Sequence, residues 1–379
     1  MHFEFATSAR VIFGEGEARR LAEITALGDT RALVVTGSDP SRLQPLLGKL
    51  SCATFSIKGE PTVDLIRAGV EQARAENCSA VISLGGGSVI DAGKAIAAML
   101  TNPGEPLDYL EVVGRGQKLT QPSAPFFALP TTAGSGAEVT RNAVLASPQH
   151  RVKASLRSPY LLPKIAIVDP ELTLSLPRAL TASTGLDALT QLIEPYVSAR
   201  ANAMTDLYCV EGLRRVASCL PRAWEYGEDR EARAHMSWAS LLGGMSLANA
   251  GLGVVHAFAA PIGGQWTAPH GAVCAAVLPH GMEINIEALR RRAPGSAALR
   301  RYDEIARILM RQPRAIADDA VAWVTDLCAR LEIPPLSAYG IKTDDLDDLC
   351  AKAAQTSSMK GNPIALTAEE LREIAIRAL

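Results

Sequence analysis

"AVISLGGGSVIDAGKAIAAML", residues 80–100, joins two periodicities through a run of glycines. "AVISL" (80–84) is a short continuous apolar run of the kind that makes a buried strand, and "SVIDAGKAIAAML" (88–100) is a helical pattern. The same alternation extends outward. Upstream, "RALVVTG" (31–37) and "CATFSI" (52–57) predict strands, and "TVDLIRAGVEQARAE" (62–76) predicts an amphipathic helix. Between them "DPSRLQPLLGKL" predicts a helix with Pro40 in its first turn. Downstream, "FFALP" (126–130) and "KIAIVDP" (164–170) add strands. Strands alternating with helices at this spacing predict right-handed crossovers and a parallel sheet covered on both faces. From about residue 178 the β-rich runs stop, and long helical patterns rich in Ala, Leu and Gly follow. The expected architecture is an α/β nucleotide-type domain over 1–178 and an all-helical domain over 179–379, with "TLSLPRALTAST" (173–184) as the hinge.

Composition narrows the function classes. The chain has 379 residues, more than one ordinary core accommodates. It is 48% hydrophobic and 21% charged with formal net charge −2, and no long Lys/Arg run offers a surface for nucleic acid or an anionic membrane. Seven scattered cysteines, with no C-x-x-C pair, suggest neither a disulfide framework nor a zinc ribbon. The first residues lack the apolar run of a signal peptide, and no stretch reaches membrane-spanning length uninterrupted. A soluble, cytoplasmic protein is expected.

The glycine loop carries the first chemistry. Gly85, Gly86, Gly87 and Ser88 lie between strand and helix, where a tight turn and free helix N-terminal N–H groups would suit a pyrophosphate. Ile90 stands where the third glycine of the dinucleotide fingerprint would fall, so a structural turn is an equal reading of this segment alone. A second loop, "ALPTTAGSGAEVTRNAV" (128–144), ends another strand with Thr131, Thr132, Gly134, Ser135 and Gly136. Two such loops at strand ends favour a dinucleotide crevice.

The second signal is polar. In "STGLDALTQLIEPYVSA" (183–199), Leu186, Leu189, Ile193 and Val197 would face a core, while Asp187 and Gln191 sit one turn apart on another face. Three of the six histidines, His256, His270 and His280, cluster in one apolar, small-residue stretch. Pro261 and the Gly263–Gly264 pair are expected to break any helix there, letting the chain fold back and bring His256 to His270. Two imidazoles and the Asp187 carboxylate would make a divalent-metal set with an open position; buried histidines bonded to backbone are the other reading, and spacing alone does not decide.

"GGGSVIDAGKAIA", "LPTTAGSGAEVTRNAV", "AIVDPELTLSLP", "GLDALTQLIEPYVS" and "VHAFAAPIGG…PHGAVCAAVLPHGME", in this order along nearly the whole chain, resemble the iron-containing (group III) alcohol dehydrogenases. The resemblance implies the two-domain dehydroquinate-synthase-like fold and a homodimer. It places Gly86, Gly87 and Ser88, with Asp91 in the following turn, at the pyrophosphate, Thr131 and Thr132 at the nucleotide, and Lys153 near the cofactor. It assigns Asp187, His256 and His270 as metal ligands and catalytic residues. The family's fourth ligand, a histidine one turn after the aspartate, is here Gln191, which could ligate through its amide oxygen, a weaker donor. A second family histidine, near the substrate, is here Ala260, and His280 matches a structural position. The family's acidic residue after "ALVVT" is Gly37; with Ser38 and Arg42 nearby, its loss tilts the expectation toward NADP over NAD.

The resemblance thus implies an NAD(P)-dependent alcohol dehydrogenase or aldehyde reductase, with iron or zinc assisting hydride transfer in an interdomain cleft. Its substrate would be a small alcohol or aldehyde, with no nucleic-acid or membrane partner. Two alternatives stay open: a metal-independent reductase like the maleylacetate reductases, and a nucleotide-binding relative or lyase without redox activity.

Overall fold

The structure is a computed structural model of the chain and describes every residue except 1, 40, 42, 43, 49 and 151. It divides into two compact units, Thr7–Leu174 and Met1–Ala6 together with Ser175–Leu379. Of the helix expected over 39–50, the described residues form a short helix at Gln44–Leu47, while Pro40 and Arg42, with its expected nucleotide role, lie outside the described set.

The α/β unit is built on a parallel sheet. Its strands are β1 (Val11–Phe13), β2 (Ala32–Thr36), β3 (Cys52–Ser56), β4 (Ala80–Gly85), β5 (Phe126–Pro130) and β8 (Ile165–Val168), and they lie in the order β1-β8-β5-β4-β2-β3. Every residue of β2, β4, β5 and β8 is buried, as expected of strands covered on both faces. The helices Val63–Ala75 and Gly87–Thr101 bury Ile66, Val70, Ile90 and Ile96 in one core cluster with Val35 and Val81. Three strands carry no sequence expectation. One is β1; the others are β6 (Asn142–Ser147) and β7 (Val152–Arg157), an antiparallel pair in which buried and half-buried residues alternate. Their period-2 signal is diluted by polar residues on the half-buried face.

Register places the loops. Thr36 of β2 pairs with Leu84 of β4, and Gly85 of β4 with Pro130 of β5, so Gly37, Gly86 and Thr131 leave neighbouring strands at the same edge. The chain steps outward from β2 to β3 and then returns to the other side of β2 as β4. That reversal is a topological switch point, the place in an open parallel sheet where a crevice forms beyond the carboxyl ends of the strands.

The second unit is helical. Its central helix, Arg178–Val197, is buried almost without interruption from Thr181 to Val197, so the predicted core residues Leu186, Leu189, Ile193 and Val197 are buried, and so are Asp187 and Gln191 on the other face. This helix already includes most of the segment expected to be the hinge: Pro177 caps it, and the irregular stretch before it is shorter than the Pro/Ser/Thr pattern suggested. A second expectation is corrected in the helix Val254–Gln265, which runs unbroken through Pro261 and Gly263–Gly264. Pro261 is far enough from the helix start to forfeit one hydrogen bond, a cost the buried face repays. The fold-back occurs instead at residues 266–269, before the helix His270–Arg292. Among the described residues, no single helix is long and apolar enough to cross a membrane.

Candidate metal centre and dinucleotide loop

Three helices of the second unit supply one cluster. Asp187 comes from Arg178–Val197, His256 from Val254–Gln265, and His270 and Cys274 from the first turns of His270–Arg292. One ligand atom from each of these four side chains lies within 4.8 Å of all the others. His256 Nε2 is 3.4 Å from Asp187 Oδ1, and His270 Nε2 is 4.0 Å from the same oxygen. The imidazole centroids are 5.5 Å apart. The close approach depends on Gly271: a Cβ there would lie 2.4 Å from the Ser183 carbonyl oxygen, so any larger residue would push His270 away from Asp187.

His256 is oriented from behind. Its Nδ1 is 2.7 Å from Glu194 Oε2, and the other carboxylate oxygen of Glu194 accepts the Val255 N–H at 2.7 Å. A carboxylate facing Nδ1 fixes the tautomer that leaves Nε2 with a lone pair toward the cluster. Nε2 of His256, Oδ1 of Asp187 and Oε1 of Gln191 are all buried, and none makes a hydrogen bond. Buried polar atoms without partners are costly and rare in folded proteins, and three within one cluster mark a place for a ligand that supplies what the protein does not.

The charges agree with a cation site. Burial pushes the Asp187 carboxyl up, but the facing His256 and His270 outweigh it and hold it below the ordinary aspartate value. Burial disfavours the imidazolium of His256, yet Cys274, Asp187 and Glu194 together raise it well above the ordinary histidine value. For Cys274 burial again opposes the charged form, and the His256 and His270 charges overcome it, lowering the thiol. Asp187, Cys274 and Glu194 thus gather negative charge around the two imidazoles, a charge that bound protons or a bound cation would offset. His270, whose side chain keeps 39% exposure, opens the cluster to solvent on one side.

Sequence reasoning found Asp187, His256, His270 and Gln191 and missed Glu194 and Cys274. The signals were present: Asp187, Gln191 and Glu194 are spaced i, i+4, i+7, and His270 and Cys274 i, i+4, each set on one helix face. Ala260 lies in the middle of its helix and offers no polar group. His280 is two turns beyond Cys274 on the same helix, and burial lowers it.

In the α/β unit the two loops close on each other. The Thr131 N–H donates to the Gly85 carbonyl at 3.0 Å, and a Cβ on Gly87 would lie 2.7 Å from Ser135 Oγ. The helix Gly87–Thr101 has Gly86 as its N-cap with no side chain capping it, so its first N–H groups are free of side-chain partners. Gly86, Gly87, Ser88, Thr131 and Thr132 are half-buried around this end. Lys153 pairs with Glu60 at 2.8 Å, and the other Glu60 oxygen accepts from Ser88 Oγ at 3.5 Å, tying that lysine to the loop. Asp91 instead accepts the Val144 N–H of β6 at 3.0 Å, a structural bond. Gly37 has open space where a Cβ would be, and Ser38 is exposed.

Residues 8–170 match the model of the iron-containing alcohol dehydrogenases, and residues 181–379 match the C-terminal part of the same family. The chain belongs to the iron-containing alcohol dehydrogenase family. It is 35% identical to alcohol dehydrogenase 4 of Schizosaccharomyces pombe over 376 residues, covering 96% of this chain and 86% of the relative. It is 33% identical to a 4-hydroxybutyrate dehydrogenase of Cupriavidus necator, covering 93% of each. A crystal structure of 1,3-propanediol oxidoreductase superposes with TM-score 0.91 at 32% identity over 100% of both chains. The α/β-plus-helical fold is therefore that of this family, and the chain is an oxidoreductase acting on CH–OH groups.

Proposed function

We propose that this family member is an NAD(P)-dependent alcohol dehydrogenase and aldehyde reductase, its hydride transfer assisted by a divalent metal at Asp187, His256 and His270 with Gln191 beside them. The observation that carries the reading is the convergence of buried donors without partners: Asp187 Oδ1, His256 Nε2 and Gln191 Oε1. A bound divalent cation supplies Lewis acidity, polarising a carbonyl oxygen or easing loss of a proton from an alcohol. A nicotinamide dinucleotide supplies or accepts the hydride.

The chain's own residues do the rest. Glu194 locks His256 in one tautomer and orientation. Asp187 brings a fixed negative charge that balances the cation. His270 stands at the solvent-facing side, where a substrate oxygen would approach. In the α/β unit, the free N–H groups and positive dipole end of Gly87–Thr101 face the place of a pyrophosphate, and the Thr131 and Thr132 hydroxyls offer hydrogen bonds to the nucleotide. Gly37 removes the carboxylate that would repel a 2′-phosphate, which supports NADP. The hydroxybutyrate and propanediol enzymes among the relatives support short aliphatic alcohols and aldehydes as the substrate class.

The test is elemental analysis of protein purified without added metal, paired with titration by NADPH and NADH and an aldehyde panel followed by nicotinamide absorbance. One equivalent of metal, tighter NADPH binding, and loss of reduction in folded His270→Ala are expected. Full activity from metal-free protein would overturn the metal assignment, and a clear NADH preference would overturn the argument from Gly37.

A further inference from the structure

We infer that Cys274 is a direct metal ligand, so that the site is Asp187, His256, His270 and a cysteine sulfur, with Gln191 a neighbour rather than the fourth donor. The inference rests on the metal reading above and adds to it a residue that reading does not use.

Geometry carries it. Zinc bonds nitrogen and oxygen at about 2.0–2.2 Å and sulfur at about 2.3 Å, so a tetrahedral ion sets its donors roughly 3.3–3.6 Å apart. The separations already present are close to these: His256 Nε2 to Asp187 Oδ1 is 3.4 Å, His270 Nε2 to Cys274 Sγ is 3.7 Å, and His270 Nε2 to Asp187 Oδ1 is 4.0 Å. Cys274 and His270 are one turn apart on the same helix, so a single rigid element presents both donors with no loop between them. Cys274 is fully buried, and the two imidazoles and the carboxylate it faces belong to the same four-donor cluster.

The chemistry points the same way. A neutral amide oxygen at residue 191 is a hard, weak donor, whereas a thiolate is a soft, strong one that adds negative charge against a divalent ion. An ion held by Asp, His, His and Cys carries a donor set of the softness found in zinc sites. Where the family's histidine is missing from one helix, sulfur from another occupies the remaining corner.

Cobalt(II) reports the ligand directly. Chelator-stripped protein reloaded with one equivalent of cobalt is expected to show thiolate-to-cobalt charge-transfer absorption in the near ultraviolet beside the visible ligand-field bands. Cys274→Ser is expected to lose the ultraviolet band, keep weaker visible bands, and bind zinc less tightly by more than the about 10–100-fold lost when a residue hydrogen-bonded behind a ligand is changed. Wild-type protein that binds cobalt without the band, or a band that survives in Cys274→Ser, overturns the sulfur ligand and leaves the metal reading standing. Protein that binds no cobalt overturns both. X-ray absorption at the zinc edge of the wild-type protein needs no variant to fold: one sulfur near about 2.3 Å supports the inference, and a shell of nitrogen and oxygen alone overturns it.

Discussion

Two buried clusters of charged side chains, one in each unit, are built in opposite ways. In the α/β unit Lys94 is fully buried, and its ammonium donates to the Thr140 carbonyl at 2.8 Å, the Thr140 hydroxyl at 2.8 Å and the Asn142 carbonyl at 2.9 Å, so all three of its protons are used. In the helical unit Asp187, His256 and Gln191 are buried with atoms left unpaired. A satisfied buried charge fastens a structure: Lys94 ties its helix to the start of β6. An unsatisfied cluster stores a cost that only a ligand relieves. The difference separates scaffold from site without reference to any relative, and each prediction below tests it.

The largest effect is expected at the unsatisfied cluster. Asp187→Ala should lower aldehyde reduction by at least about a thousandfold, the scale on which a preorganised charge-stabilising group acts. The metal-free variant should melt close to wild type, because the lost attraction to His256 and His270 is offset by removal of a buried oxygen left without a hydrogen bond. Steady-state kinetics and calorimetry on the same preparation check both halves. A large fall in melting temperature would show that Asp187 is structural after all, and the contrast with Lys94 would collapse.

The satisfied side should respond in stability. Glu138, also buried in the α/β unit, has its carboxyl pushed up to about 7 by burial, partly offset by the charge of Lys94. Its folded value lies above its unfolded value, so the folded state holds a proton that the unfolded state has released between about pH 4.5 and 7. Stability from this group is present below that window and is lost as pH rises through it. Glu138→Gln, a permanently neutral stand-in, should therefore gain on wild type across the window and level off above about pH 7. At about 1.4 kcal/mol per pKa unit the plateau is roughly 3 kcal/mol. Denaturant melts at several pH values check it, and a difference independent of pH would show that Glu138 does not titrate there. Lys94→Met keeps the length of the side chain but strands three acceptors, and should cost about 2–3 kcal/mol. Catalysis by the protein that remains folded should change little.

How far these two kinds of site could be read from sequence follows from how each is built. The α/β pattern was legible because β2, β4 and β5 are buried on both faces and read as unbroken apolar runs, and the loops after them carry their glycines and threonines in consecutive positions. Asp187, His256 and His270 stood out as polar residues in apolar surroundings, and the family resemblance, not their spacing, made them a ligand set. Glu194 and Cys274 share a helix face with Asp187 and His270, but that spacing alone does not set them apart from an ordinary glutamate and one cysteine of seven until three helices meet. The fold-back was placed at Pro261 because proline propensity was given more weight than tertiary packing, and the packing of a fully apolar face won. Lys94 carries no expectation from sequence, because its acceptors, Thr140 and the first residue of β6, come to it only in the folded unit.

Glu194 stands between the two kinds of site, satisfied itself and holding an unsatisfied neighbour. Glu194→Gln should keep the bond from the Val255 N–H but weaken the grip on His256 Nδ1, costing about 10–100-fold in metal affinity, the usual effect of altering a carboxylate behind a histidine ligand. Competition with a chromogenic chelator measures it. Unchanged affinity would mean that His256 is held by packing alone, and that the partner on Nδ1 has no bearing on Nε2.

The smallest change sharpens the comparison most. Gln191 lies one turn from Asp187, its Oε1 is buried without a partner, and its amide helps hold the Asp187 carboxyl low. Replacing an amide with an imidazole at this position adds a stronger donor on the same helix face, so Gln191→His should raise metal affinity by about tenfold. The gain is modest because residue 191 would join a site that already has four donors within reach. In Cys274→Ser, where one of those donors is weakened, the same Gln191→His change should recover more affinity than it adds to wild type. Equal gains in the two backgrounds would mean that residues 191 and 274 do not share one ion, and that the unpaired Gln191 oxygen serves some ligand other than the metal.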